Sequence, residues 1–315
     1  MIDTKVCNSL SDTKSAMRCY LCNCTSKSFN DIDKMLNQEI CTDHLKFGLS
    51  SLHCWIRCFE FLLHLSYKLG ILKWQARSKE EKESVERRKR IIQAAFKTEL
   101  GLNVDKPKAG SGTSDDGNTA RCFFEKYQKS AQITGIDQDI IHRFYIILQA
   151  ISCGHDINVD NFRQYAVELA KKIVKLFDWY YMPTLVHKLL IHGPEIIQHS
   201  VLPIGQMSED AQEACNKFFG IYRLHFARKN YCQKTMEDVF KRFLVASDPY
   251  ISSCRKLPVK PLKSLSTETI YLLSPPSVNI QEEYEQEMVE ESSSASESGT
   301  DVEAYDSYDN ENFFL

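Results

Sequence analysis

Beyond Lys263 the sequence has no lysine and no arginine, although 13 aspartates and glutamates follow between Glu268 and Glu311. Such a stretch cannot neutralise itself, and its Pro/Ser-rich then acidic composition cannot bury enough apolar surface to fold alone. Nor is there an uninterrupted apolar run of the ~20 residues that a membrane-spanning helix needs. The N-terminus lacks a secretory signal, so the expectation is a soluble, intracellular protein. No segment alternates apolar and polar residues as a half-buried strand would. Closely spaced cysteines are scarce too. The chain has 12, but only Cys19, Cys22 and Cys24 cluster, which argues against a disulfide framework and for free thiols in a reducing compartment.

What remains is helical spacing. With 315 residues the chain can bury a substantial core in one to three domains. Leu49 to Leu72 reads as a strong core helix, in one piece or two. The charged segment from Ser78 to Leu100 reads as a solvent-facing helix with acids and bases three or four apart. Its "ERRKR" is either an import signal or the wet face of that helix. "GLNVDKPKAGSGTSDDGNTARCFF" is a loop that ends in a new helix near Asn118 or Thr119. Further helices follow over "DQDIIHRFYIILQAISC", "NVDNFRQYAVELAKKIVKLFDWYY", "SEDAQEACNKFFGIYRLHFARKN" and "TMEDVFKRFLVAS". The expected organisation is an N-terminal segment over 1–45, a helical body over 46–252 and a disordered tail over 253–315. Residues 1–263 hold all 39 basic residues against 29 acidic ones, a net of +10. That balance suits a polyanionic partner, or is simply a solvated basic surface.

The C-x-x-C of Cys19 and Cys22 can fill two corners of a zinc tetrahedron. The remaining corners can come from "LVHKLLIHGPEII", where His187 and His192 are five apart. On a continuous helix their side chains would diverge by ~140°. Gly193-Pro194 removes that obstacle by ending the helix, so His192 can swing round from the last turn. H-x4-H lies within the spacing of Cys2His2 sites. Spacing alone leaves a second reading open, a lone C-x-x-C with Cys24 as a spare thiol.

The run "HKLLIHGPEIIQHSVLPIGQMSEDAQEACNKFF…ARKNYCQKTMEDVFKR" resembles the C-terminal catalytic region of the V(D)J recombination-activating recombinase and the related Transib transposases. C-x-x-C, H-x4-H, "PEII", a Glu-bearing helix and "MEDV" occur in that family's order, from about Met17 to Ile251. "LSSLHCWIRCFEF" and "NVDKPKAGSGTSDDGNTAR" resemble its segments between the zinc halves.

The resemblance implies a mainly α chain: a helical zinc-binding insertion with the last catalytic helix of an RNase H-like (DDE) core, most of the central sheet missing. It implies structural zinc on Cys19, Cys22, His187 and His192. The family's chemistry uses three carboxylates and two Mg2+ or Mn2+ ions to cut and join DNA. Glu213 matches its catalytic Glu, and Asp3 in "MIDTKVC" is the candidate for its second Asp, although about three residues closer to the cysteines. Arg121, His53, Lys108 and Lys217 are the implied DNA contacts. The family's first Asp belongs well over a hundred residues upstream of the matched region. The expectation is therefore a truncated recombinase- or transposase-like protein, nuclear and DNA-bound, that does not cut or join DNA alone. A homodimer and a protein partner for the acidic tail are compatible with this. The competing expectation is a co-opted, non-catalytic zinc module that binds DNA or a protein.

Overall fold

The computed structural model describes residues 4–275, apart from positions 12, 14 and 16 and segments 108–113, 208–209 and 254–264. At 4–6, 210–214 and 252–253 only the backbone is described. The chain divides into two units, Met1–Ser274 and Pro275–Leu315, and the described helices belong to the first. Its described residues are mainly helical, and their only β-structure is two isolated bridges, Arg18 to Thr25 and Ile157 to Leu273.

The N-terminal part holds two short helices, α1 (Thr4–Leu10) and α2 (Ile32–Leu36), and a 3-10 turn, Thr42–Phe47. Then comes the central helix α3 (Ser51–Lys68), in one piece. The Ser50 side chain caps it by accepting from the His53 N–H. Twelve of its 18 residues are buried, so it is apolar on most faces. Such a helix must be surrounded, and it packs against α4 (Lys79–Leu100), α5 (Gly117–Glu125), α7 (Gln138–Ser152) and α9 (Thr184–Ile191). Trp55 on α3 donates its indole N–H to Ser152 Oγ at 2.9 Å, tying α3 to the end of α7. A chain of aromatic contacts fills the space between these helices: Phe59 to Phe123 at 5.0 Å, Phe123 to Phe124 at 5.0 Å, and Phe96 to Phe123 at 5.8 Å.

Helix α4 buries only Ile92 and Phe96, as its charged sequence suggests. Its ends are held locally. Ser78 and Glu81 form a capping box, and Gly101 ends the helix in the left-handed conformation at φ 68°. Arg88 reaches from its inner side to the carbonyls of Ser66 (2.6 Å) and Thr134 (2.9 Å), closing the ends of α3 and of α6 (Tyr127–Thr134). The Lys73 ammonium, followed by the Arg77 and Ser78 N–H groups, lowers the Glu81 carboxyl to about 2. A depressed carboxylate pKa stabilises the fold above the unfolded value, and the effect is lost as pH falls through the folded value. The first turn of α4 is thus expected to fray as pH drops from about 4 towards 2. Amide exchange at Arg77, Ser78, Glu81 and Lys82 checks this, and protection unchanged across that window would contradict it.

Helix α8 (Val159–Leu176) turns Phe162, Ala166, Leu169, Ala170 and Ile173 inward, one face at helical spacing, and packs on α7 and α9. The sequence reading ends the folded body at residue 252. The first unit instead includes α14 (Thr267–Tyr271), which lies on α7. Leu272 and Thr269 are fully buried there, and Thr269 Oγ1 donates to Gln149 Oε1 at 2.8 Å. Asn158 N–H donates to the Leu272 carbonyl, and Ser274 N–H to the Asp156 carbonyl. This strap is too short to show periodicity and is held by backbone hydrogen bonds, so composition concealed it. After residue 207, α11 (Asp210–Ile221), a π-helical turn (Tyr222–Phe226), α12 (Cys232–Ser247) and α13 (Pro249–Ser253) pack successively on one another. Phe240, Leu244 and Val245 on α12 remain exposed.

Candidate metal centre

The two halves of the C-x-x-C turn are drawn together by backbone bonds. Cys19 N–H donates to the Cys24 carbonyl at 2.9 Å, and Asn23 N–H to the Cys19 carbonyl at 2.8 Å. Asn23 takes the left-handed conformation at φ 57°, which asparagine tolerates better than most residues. The turn therefore presents both sulfurs on one side. On the other half, α9 ends at Ile191 and His192 sits between it and α10 (Gly193–His199), with Pro194 in the first turn of α10. A Cβ at Gly193 would come within 3.0 Å of Phe162 Cε1, so a glycine lets the second helix start directly after His192. The turn expected from Gly193-Pro194 is present, and a new helix follows it at once.

These elements bring Cys19, Cys22, His187 and His192 together, with one ligand atom of each within 4.8 Å of all the others. All four are buried. The Cys22 sulfur lies 3.5 Å from His187 Nε2. A tetrahedron with Zn–S of about 2.3 Å and Zn–N of about 2.0–2.1 Å has S–N edges of about 3.5 Å. His192 Nε2 is buried with no hydrogen-bond partner, an expensive arrangement for a polar atom unless something else takes it up. Distance, burial, donor type and this orphaned nitrogen all fit a metal such as zinc. The hydrogen bond with Cys22 is the largest influence holding the Cys19 thiol well below its usual range, with His187 and His192 adding to it against burial. Cys22 is pushed up, first by that same bond and then by burial. Burial lowers the His187 pKa, which favours the neutral ring. A neutral imidazole and a thiolate are the forms that bind zinc.

Around the centre, Phe29 stacks on His187 with ring centroids 3.9 Å apart and planes 4° apart. His192 meets His187 edge-on at 4.8 Å. Lys188, next to a ligand, is buried with its ammonium 4.3 Å from the Tyr20 ring centroid, and desolvation lowers its pKa. His44 Nδ1 reaches the Tyr20 carbonyl at 2.8 Å and steadies the cysteine turn. None of Phe29, Tyr20 or Lys188 carries a spacing signal, and a lysine beside a histidine reads as solvated.

Of the other sequence-derived residues, those with described side chains, His53, Arg121 and Lys217, lie outside this group. His53 is in the first turn of α3 with Nδ1 2.8 Å from Ser50 Oγ. Arg121, in the first half of α5, lies over the Trp55 ring at 5.9 Å. Lys217 is exposed on α11; Glu213 lies on the same helix, and only its backbone is described. Asp3 and Lys108 lie outside the described residues. Among the described residues the four-ligand centre is the only group of three or more His, Cys, Asp or Glu able to hold a metal. Comparison with family models and with curated proteins returns no match to this chain.

Proposed function

We propose that this chain is the zinc-stapled helical part of a DDE-type recombinase or transposase of the Transib kind, and that it binds DNA in the nucleus. The observation that carries the reading is the convergence of C-x-x-C and H-x4-H, 165 residues apart, on one buried tetrahedral edge of 3.5 Å. Spacing allows that pairing and the resemblance implies it, and the same order of motifs carries the resemblance to the recombinase. Zinc bound here is structural: four protein ligands close its coordination and leave no position for a reacting water.

The matched helix α11 with Glu213 would supply one carboxylate to a two-metal site. Two-metal chemistry needs further carboxylates fixed to tenths of an ångström, and no sheet that could hold them occurs among the described residues. The chain is therefore proposed to bind DNA without cleaving it alone, through Arg121 and Lys217 together with the basic surface of residues 1–263.

Fluorescence anisotropy with a duplex DNA probe tests this. Affinity is expected to fall steeply with salt, since each phosphate contact releases counterions. Arg121→Glu and Lys217→Glu should each weaken binding and flatten that slope. Supercoiled plasmid with Mg2+ or Mn2+ should remain un-nicked. Binding insensitive to both salt and charge reversal would remove the DNA reading. Nicking that disappears in Glu213→Gln would show a complete active site.

A further inference from the structure

Metal-ligating histidines are normally oriented by a hydrogen bond from the ring nitrogen that does not face the metal. His187 lacks that device. Its Nε2 faces the Cys22 sulfur, and its Nδ1 is buried with no hydrogen-bond partner. Something else must fix the ring, and two neighbouring residues supply contacts of another kind.

Phe29, fully buried, lies flat on the imidazole at 3.9 Å, with the two planes only 4° apart. A parallel stack leaves the ring little freedom to rotate about the bond that aims Nε2. The next residue, Asn30, binds the chain that leads into α9. Its carboxamide donates to the carbonyls of Asp178 (3.1 Å) and Tyr180 (3.0 Å) and accepts from the Met182 N–H at 3.1 Å. Phe29 and Asn30 follow the cysteine turn, whereas Asp178 to His187 belong to the other half of the centre. All four contacts cross between the halves, and none involves a ligand sulfur.

We infer that Phe29 and Asn30 form a metal-independent clasp that pre-assembles the centre, with Phe29 as the positioning residue for His187. The inference rests on the zinc reading above. It gives the chain a preformed metal site instead of one that folds only when metal arrives.

The full chain, stripped of metal by a chelator, is titrated with Zn2+ against a chromophoric competitor and separately with Co2+. The metal-free protein is expected to keep its helical circular dichroism. Asn30→Ala and Phe29→Leu are expected to keep that signal and to bind Zn2+ roughly 10–100-fold more weakly, the range seen when a ligand loses its orienting partner. The cobalt ligand-field bands should broaden in Phe29→Leu, because the imidazole is no longer held in one plane. Asn30→Ala removes only side-chain hydrogen bonds at a half-buried position, so it remains informative if Phe29→Leu does not fold. Loss of the helical signal on metal removal would overturn the clasp. So would variants that lower Tm equally with and without metal while keeping wild-type affinity and cobalt spectrum. Wild-type protein that takes up neither ion would instead defeat the zinc reading itself.

Discussion

Replacing Cys19 by serine is expected to take the purified protein from about one zinc per chain to none. Serine keeps the size of the side chain but offers a hydroxyl that stays protonated at neutral pH, and the centre then holds three ligands in place of four. The same substitution removes the low-pKa partner of the Cys19–Cys22 pair. At zinc concentrations of 100–1,000 times Kd, binding contributes about 3–4 kcal/mol of stability. In a body of this size each kcal/mol moves Tm by about 2–4 °C. Cys19→Ser, or addition of a strong chelator to the wild type, should therefore lower Tm by roughly 5–15 °C. Cys24→Ser is the control. Cys24 lies outside the four-ligand group, so that variant should keep its zinc. Full zinc retention in Cys19→Ser, or loss of zinc in Cys24→Ser, would show that the ligands are assigned wrongly.

The second large effect lies in the core. Phe123→Ala should lower unfolding free energy by about 3–5 kcal/mol, the cost of deleting a buried aromatic ring and leaving a cavity behind. Phe123 is fully buried and touches Phe59, Phe96 and Phe124, so it joins α3, α4 and α5 at one point. Close packing from three helices leaves the surroundings little room to collapse into the gap. Against a typical total of 5–15 kcal/mol, a loss of this size is a large fraction of the stability. Urea titration followed by circular dichroism measures it, with the midpoint falling and the slope unchanged. A change below about 1 kcal/mol would mean that the aromatic cluster is not the centre of the fold.

The long helices were legible because their patterns are long. Over 15 or more residues, α3, α7 and α8 repeat buried positions often enough for the period to show, and the charged face of α4 does the same in reverse. The metal centre was legible in part. C-x-x-C and H-x4-H announce themselves by spacing, and the order of motifs joined them across the chain. What spacing could not show is what surrounds the ligands. The contacts of Phe29 and Asn30 that matter here lie 148 residues or more along the chain, and their roles come from the fold bringing 178–187 beside them. Lys188 was hidden for the opposite reason, since a lysine is ordinarily solvated and here is enclosed beneath an aromatic ring. The strap at 265–274 was absorbed into a tail by its composition, although two backbone hydrogen bonds at Asn158 and Ser274 anchor it to the body.

The distance along the chain between the two halves of the centre also sets a schedule during synthesis. Cys22 and His187 are 165 residues apart. At roughly 5–20 residues per second, the ribosome delivers the histidines about 8–33 s after the cysteines. For that interval the cysteine turn, along with Phe29 and Asn30, exists without α9, and its sulfurs are open to oxidants and to any passing thiophilic ion. The two cysteines are thus exposed to oxidation for an interval that their burial in the finished fold does not reveal.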